Sequence, residues 1–496
     1  MISPIRIERE TLWGGPFQLI CIVAIGAFLG AVVTVSPFLG GAVTVLAVGF
    51  GLLTLEKRLV QIFMVALFLG LAGYMFLGRG FAYAGLPPLF VGELLLGLAV
   101  LTGVYTFSLR YFTLLYGLIA MFVLWGLIRT LPYILTYGID ALRDAVVWGY
   151  ALFALVLAVV VTPRVFERLV AFYARVAPYF LAWVPIIAAF GLLAAVPLWP
   201  QSGVPIAQFK QGDMAVHVAG IIILLACGMY DVQRQDRGLP TWSLWILMVV
   251  GFGFIATSRA GLLTVTAAVG LSFFLWPTRR FLNFIAIMVV VGGLIVAFNP
   301  NISVGGYSRQ VGPSQVIENV NSIVGSSDSG NLEGTKKWRE EWWGTVWDYT
   351  VNGPYLLTGK GFGVNLAVDD GFEVFSDPPS RSPHSGHVTI LARMGLPGLS
   401  LWVAIQLVFG FTIYQAFSRA RHMGAMFWAR LDTCILIYWL ALLINMSFDV
   451  FLEGPQGGIW YWSVIGLGMA ALRLQSQSPQ ELQQAAPSGA AKAISV

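Results

Sequence analysis

Charge is scarce in this chain. Asp, Glu, Lys and Arg make up 11% of the 496 residues, 58% are hydrophobic, and mean hydropathy is +0.79. Such a composition excludes a soluble globular domain, and the apolar runs reach the roughly 20 residues that cross a bilayer as a helix. Cysteine is scarcer still. Cys21, Cys227 and Cys434 all lie inside apolar runs, which excludes a disulfide framework and leaves them as buried small hydrophobes. The chain lacks a repeat of fixed period or a matching pair of halves, so the inverted-repeat signature of many secondary transporters is missing. There is no metal-ligand spacing. Nor is there a P-loop, because the run Gly359, Lys360, Gly361, Phe362, Gly363 has no strand before it and no Lys-Ser or Lys-Thr pair after it. Asp369, Asp370, Glu373 and Asp377 lack the glycine turn and final glutamate of a calcium loop and read as a solvated acidic loop. Met1 to Phe17 has no small-residue cleavage site after the first apolar run, so it reads as a retained tail.

What remains is hydropathy, and it predicts an all-α, polytopic membrane protein with about 12–14 transmembrane helices and one large, partly helical outer loop. The expected organisation is a tail at 1–16, helices over 17–298, the loop at 299–395, further helices over 396–474 and a disordered tail at 475–496. Basic residues gather in alternate loops, as at Lys57, Arg58, Arg164, Arg168, Arg279, Arg280, Arg419 and Arg421. In the short loops of opposite side only Arg79, Arg129, Arg143, Lys210 and Arg259 remain. The positive-inside bias therefore puts both termini in the cytoplasm and the long insert outside. The net charge of +5 follows from that topology, with attraction to anionic membrane lipid, and needs no nucleic acid.

Chemistry is expected in the polar insert, Asn299 to Pro383, which closes on His384, Ser385, Gly386 and His387. Residues 303 to 334 are turn and loop material. Thr335 is placed to cap a helix carrying Trp338, Trp342, Trp343 and Trp347, either an amphipathic helix at the membrane surface or a platform for sugar or lipid. An imidazole ordinarily titrates near neutrality and can take the proton of a hydroxyl, which makes His384 the candidate general base. Arg259, between two apolar segments, reads by itself as a snorkelling cation, and Arg339 as a helix-surface charge. Asp449 and Glu453 flank Phe451 and Leu452, where an acid orients His384 or a sugar hydroxyl, or forms a solvated turn. His217, mid-helix, and His422, on the cytoplasmic side, read as structural.

His384-Ser385, then Gly395-Leu396-Pro397-Gly398 opening an apolar helix, joined with Thr257-Ser258-Arg259-Ala260-Gly261 and with Lys337-Trp338-Arg339 and Trp343, resembles the O-antigen ligase and polymerase superfamily. The motifs cover roughly residues 240 to 450. The resemblance implies a glycosyltransferase of the bacterial inner membrane that takes a glycan from an undecaprenyl diphosphate carrier to an acceptor hydroxyl at the periplasmic face. The acceptor is lipid A-core in ligases and a carrier-linked glycan in polymerases of O-antigen or exopolysaccharide. It places Arg259 and Arg339 on the diphosphate and His384 as base, with His387, Ser385, Trp343, Asp449 and Glu453 in support. The family pattern often has asparagine where Ser385 stands. Neither metal nor nucleotide is expected, because the donor is already activated. A transporter or flippase is the reading of another class. It calls for ionisable residues facing one another at mid-membrane, whereas Glu93, Arg110 and His217 are scattered.

Overall fold

The computed structural model describes residues 56–86, 89–107, 111–193, 197–234, 239–298, 302–303, 310–311, 316, 318–320, 330–373 and 381–476. The expected tails, the apolar runs before residue 56, Cys21, Arg110, Asp377 and most of 303–329 lie outside them. The chain divides into two units at Val65, and of the first only 56–65 is described.

The regular elements among the described residues are helices apart from four two-residue strands in two small antiparallel pairs. In chain order the helices are α1 (Glu56–Leu77), α2 (Val91–Thr106), α3 (Leu114–Tyr137), α4 (Ile139–Gly149), α5 (Ala151–Val160), α6 (Pro163–Leu193), α7 (Gln211–Ala226) and α8 (Met229–Arg234). They continue as α9 (Thr241–Ile255), α10 (Arg259–Leu275), α11 (Arg279–Phe298), α12 (Gly330–Thr350), α13 (Leu366–Asp369), α14 (Gly386–His422), α15 (Met426–Met446) and α16 (Pro455–Gln475). A 3-10 turn, Arg79–Tyr83, follows α1. Among the described residues five helices are long and apolar enough to span a membrane, and a sixth forms if α4 and α5, bent by 43°, are taken as one. α2, α7, α9 and α10, at 15 to 17 residues, stand where spans were expected but are shorter. At 1.5 Å per residue they rise about 25 Å, less than the hydrocarbon thickness of about 30 Å. This is an all-α, multi-pass membrane protein.

Helix α7 is enclosed by its neighbours. From Gly212 to Ala226 every residue is buried, the mark of a helix apolar on all sides, and it packs on α10 and α15. Cys227, at its end, and Cys434 on α15 are free thiols with sulfurs 3.9 Å apart. His217 is packed among the rings of Phe180, Tyr438 and Trp460, with Nδ1 2.5 Å from the Tyr438 hydroxyl.

The insert docks through a small core of its own. Trp342, Val346, Leu366 and Ala367 pack on Leu391 and Ala392 of α14. Trp342 is fully buried, stacks on Phe372 at 5.4 Å and donates from Nε1 to Asp370 at 2.7 Å. The helix expected to start at Thr335 is corrected by this geometry. Its tryptophans are divided, with Trp342 in the core and Trp347 exposed, and the helix starts before Thr335. Asp370 is also corrected: instead of being solvated it is buried, bonded to Lys360 at 2.5 Å and to Trp342. The glycine run is a packing device. A Cβ on Gly361 would meet the Tyr133 ring at 2.1 Å, and the Gly363 N–H donates to Asp144 at 3.1 Å, so its amides are committed to protein.

The Gly395-Leu396-Pro397 motif breaks α14 nine residues after its start. Gly395 has φ +65°, and a Cβ there would lie 2.7 Å from the Leu356 carbonyl. Only glycine adopts this geometry freely. The break lets Leu396 N–H donate to Leu356 at 2.8 Å and Trp125 Nε1 to the Met394 carbonyl at 2.9 Å, fastening the loop before α13 to the bundle. Gly395→Ala is therefore expected to cost at least about 2 kcal/mol, combining the left-handed penalty with a backbone clash. Thermal unfolding in detergent checks this, and an unchanged melting temperature contradicts it.

Candidate functional site

The turn after α1, the N-termini of α7 and α10, helix α12 and the segment after α15 meet at one end of the bundle. Their meeting is permitted by Gly212, where a Cβ would lie 2.2 Å from Asn445 Oδ1 and 3.7 Å from the Ala260 Cβ. Asp449 is the hub. It is buried, Arg79 Nη2 donates to one of its oxygens, and Lys210 Nζ lies 2.8 Å from the other. Arg79 Nε also donates to Asp213 at 3.1 Å, and Asn445 holds the second Asp213 oxygen at 3.2 Å. Burial opposes ionisation of Asp449, but Arg79 and then Lys210 outweigh it and hold the carboxyl well below the usual range.

Arg339, on α12, faces both Asp449 and Arg259. Burial lowers its pKa, Asp449 opposes this, and Arg259 adds to it. Its Nε is buried and has no hydrogen-bond partner among the described residues. Arg259 is the first residue of α10, behind the cap Ser258. The cluster so described contains four cations, Arg79, Lys210, Arg259 and Arg339, and two carboxylates, Asp213 and Asp449. It stands at the N-termini of α7 and α10, where helix dipoles add positive potential. The arrangement is fitted to an anion carrying about two charges, and guanidinium groups match phosphate oxygens in pairs.

His384 stands beside it. It is the one non-glycine residue with positive φ among the described residues, at +52°. A left-handed backbone at a non-glycine position costs about 1–2 kcal/mol and persists only where neighbours impose it. Here Trp343 Nε1 donates to the Pro383 carbonyl at 2.8 Å, His384 N–H donates to Ser382 at 2.8 Å, and the Trp338 ring meets the imidazole edge-on at 5.6 Å. Burial pushes the His384 pKa down to about 4, with Asp449 opposing and Lys210, Arg339 and Arg79 adding to the fall. The imidazole is therefore neutral at physiological pH and able to accept a proton.

The structure thus brings together His384, Arg259, Arg339 and Asp449, with Trp343 as a brace. Ser385 is buried at the N-cap position of α14, but its side chain makes no cap bond. His387 was expected to orient the site or cap the helix. Instead, Trp402 Nε1 donates to its Nδ1 at 3.0 Å and its Nε2 lies 3.0 Å from Ser447 Oγ, which itself donates to Leu443. Nδ1 accepts, so Nε2 carries the proton, and His387 ties α14 to α15. Glu453 joins a different set of charges, Arg393 and Asp144, with Ser382 and Thr389 close by. Burial raises its pKa, with Arg393 opposing. Asp144 receives Arg381 at 3.2 Å and Arg393 at 3.0 Å, a buried latch under the insert.

Arg79, Lys210 and Asp213 were not read as site residues from sequence. The signal was present, since Arg79 and Lys210 are two of the five basic residues in short loops that break the charge bias.

Fold and site define a multi-pass membrane protein with a cluster of cations beside a neutral histidine. Residues 242–403 match the model of a family described as O-antigen ligase, which supports the resemblance read from the motifs. That stretch includes Arg259, Arg339 and His384. No curated protein matches the chain.

Proposed function

We propose that the protein is a glycosyltransferase of O-antigen ligase type, in the bacterial inner membrane with both termini cytoplasmic and the insert periplasmic. The donor is an undecaprenyl diphosphate-linked glycan, and the acceptor is a hydroxyl of lipid A-core. The reading is carried by a neutral His384 in an imposed left-handed conformation, beside cations that outnumber carboxylates four to two. Arg259 and Arg339, with Arg79 and Lys210, hold the diphosphate. His384 takes the acceptor proton as the hydroxyl oxygen attacks the anomeric carbon from the face opposite the carrier. The bond from that carbon to the phosphate oxygen breaks, its electron pair leaves with undecaprenyl diphosphate, and the sugar carbon is inverted. Asp449 keeps the cations and His384 in register. No metal or nucleotide takes part.

The test is transfer by purified protein in nanodiscs with EDTA present, given carrier-linked oligosaccharide with or without lipid A-core. Glycan on lipid A-core is the expected product. Longer carrier-linked chains would make it a polymerase instead, and failure of either with a bound donor would leave transport to be tested. Dependence on a divalent cation would sink the metal-free mechanism. Arg259→Lys is expected to lose about 10-fold or more in transfer, because an ammonium cannot replace a bidentate guanidinium. A cation that merely snorkels would tolerate lysine.

A further inference from the structure

The turn that presents Arg259 is held from outside its own helices. Only Ala256, Thr257 and Ser258 separate α9 from α10. The inner side of this turn is secured locally: Ala256 N–H donates to Phe252 at 2.8 Å, Thr257 Oγ1 to Phe254 at 2.7 Å, and Gly261 packs so tightly that a Cβ would lie 2.7 Å from the Ile255 carbonyl. The Ala256 carbonyl is one of those that a helix end leaves without an intrahelical partner. Asn319, 63 residues further along in the insert, supplies that partner: its Nδ2 donates to Ala256 O at 2.9 Å. Both residues are buried, with relative exposures of 1% and 2%, so the bond is shielded from water.

There is a physical need for such a tie. Arg259 and Arg339 repel one another across the site, and Arg259 sits on the first turn of a helix at the end of a short connection. Repulsion favours rotation of that turn toward solvent, which would withdraw the guanidinium from the anion. Trp343 does for His384 what Asn319 does here: each insert side chain donates to a carbonyl within three residues of a motif residue.

We infer that Asn319 is a positioning residue that holds Arg259 in the anion pocket, so that docking of the insert completes the donor site. The inference rests on the diphosphate role proposed for Arg259. Asn319 touches no substrate. Its effect on Arg259 passes through the hydrogen bond to the Ala256 carbonyl.

The experiment measures binding of inorganic pyrophosphate to the full-length protein in detergent, for wild type, Asn319→Ala, Asn319→Asp, Arg259→Ala and the Asn319→Ala/Arg259→Ala double variant. Asp keeps the shape of Asn but replaces the donor N–H2 by an acceptor oxygen. Both Asn319 variants are expected to weaken binding about threefold to tenfold, as loss of a buried hydrogen bond that positions a ligand group would. In the Arg259→Ala background the same change should have no further effect, because coupled residues are not additive. Wild-type binding by Asn319→Asp, or equal weakening in both backgrounds, overturns the inference. Wild-type binding by Arg259→Ala would instead remove the diphosphate role on which it rests.

Discussion

Replacing His384 by alanine is expected to reduce transfer by about 10²- to 10⁴-fold, the usual contribution of a positioned general base, while leaving pyrophosphate binding within about twofold. The split follows from the geometry. The cations that would hold the diphosphate come from the turn after α1, from the N-termini of α7 and α10 and from α12, whereas His384 is carried by the strained segment before α14. Removing the imidazole leaves the anion pocket intact. A variant that kept wild-type transfer would end the general-base assignment.

The pH dependence carries a sharper expectation. A base acts in its neutral form, so activity falls as pH drops through its pKa. In the free enzyme, burial and the surrounding cations push His384 down to about 4. The acid limb of kcat/KM for the donor should therefore lie near that value rather than near 6.5. When a diphosphate occupies the pocket, its negative charge offsets Lys210, Arg339 and Arg79. The acid limb of kcat, which reports the donor complex, should then move to higher pH. The base thus gains proton affinity only with the leaving group in place. Coincident limbs would show that the anion does not sit beside His384.

Much of the fold was legible because hydropathy acts locally. Each helix from α2 to α11, apart from the short α8, and each of the last three overlaps an apolar run, since a segment in lipid must satisfy its backbone internally whatever its neighbours do. Its exact length was not legible. The short α7 starts just after Lys210, which Asp449 holds, and α9 ends at Ile255, before the turn that leads to Arg259 at the start of α10. In the site, His384 and Arg259 were visible as costly residues at the ends of apolar segments. Arg79, Lys210 and Asp213 belong to loops far apart in sequence, and only packing through Gly212 and Asn445 brings them to Asp449. The charge bias nevertheless held the information. Four of the five basic residues that break it are paired, Arg79 and Lys210 with Asp449, Arg129 with the Thr358 carbonyl and Arg143 with Asp140, while Arg259 faces Arg339 as a like charge. The tryptophans were legible as one aromatic face but not in their division, since only packing on Phe372 and Asp370 sets Trp342 in a core while Trp347 stays exposed.

Asp449→Asn is expected to have the largest effect on stability. Arg79 and Asp449 are 17% and 9% exposed at their side chains, and removing one partner of a buried pair costs about 3 kcal/mol or more, because the other charge stays desolvated. Lys210, 45% exposed at its side chain, adds little since water screens it. The sign with pH is defined. The Asp449 pKa is depressed in the folded protein, so its contribution is fully present above the unfolded value near 3.9 and is lost only as pH falls through the lower folded value. Wild type and variant should differ in unfolding temperature by a constant amount from pH 5 to 8 and converge only in strong acid. Transfer should fall as well, because Asp449 is the group that supports protonation of His384 against three cations. If Asp449→Asn melts with wild type, the pairs around Asp449 contribute no more than surface bridges. The carboxylate would then be significant only for charge balance beside His384.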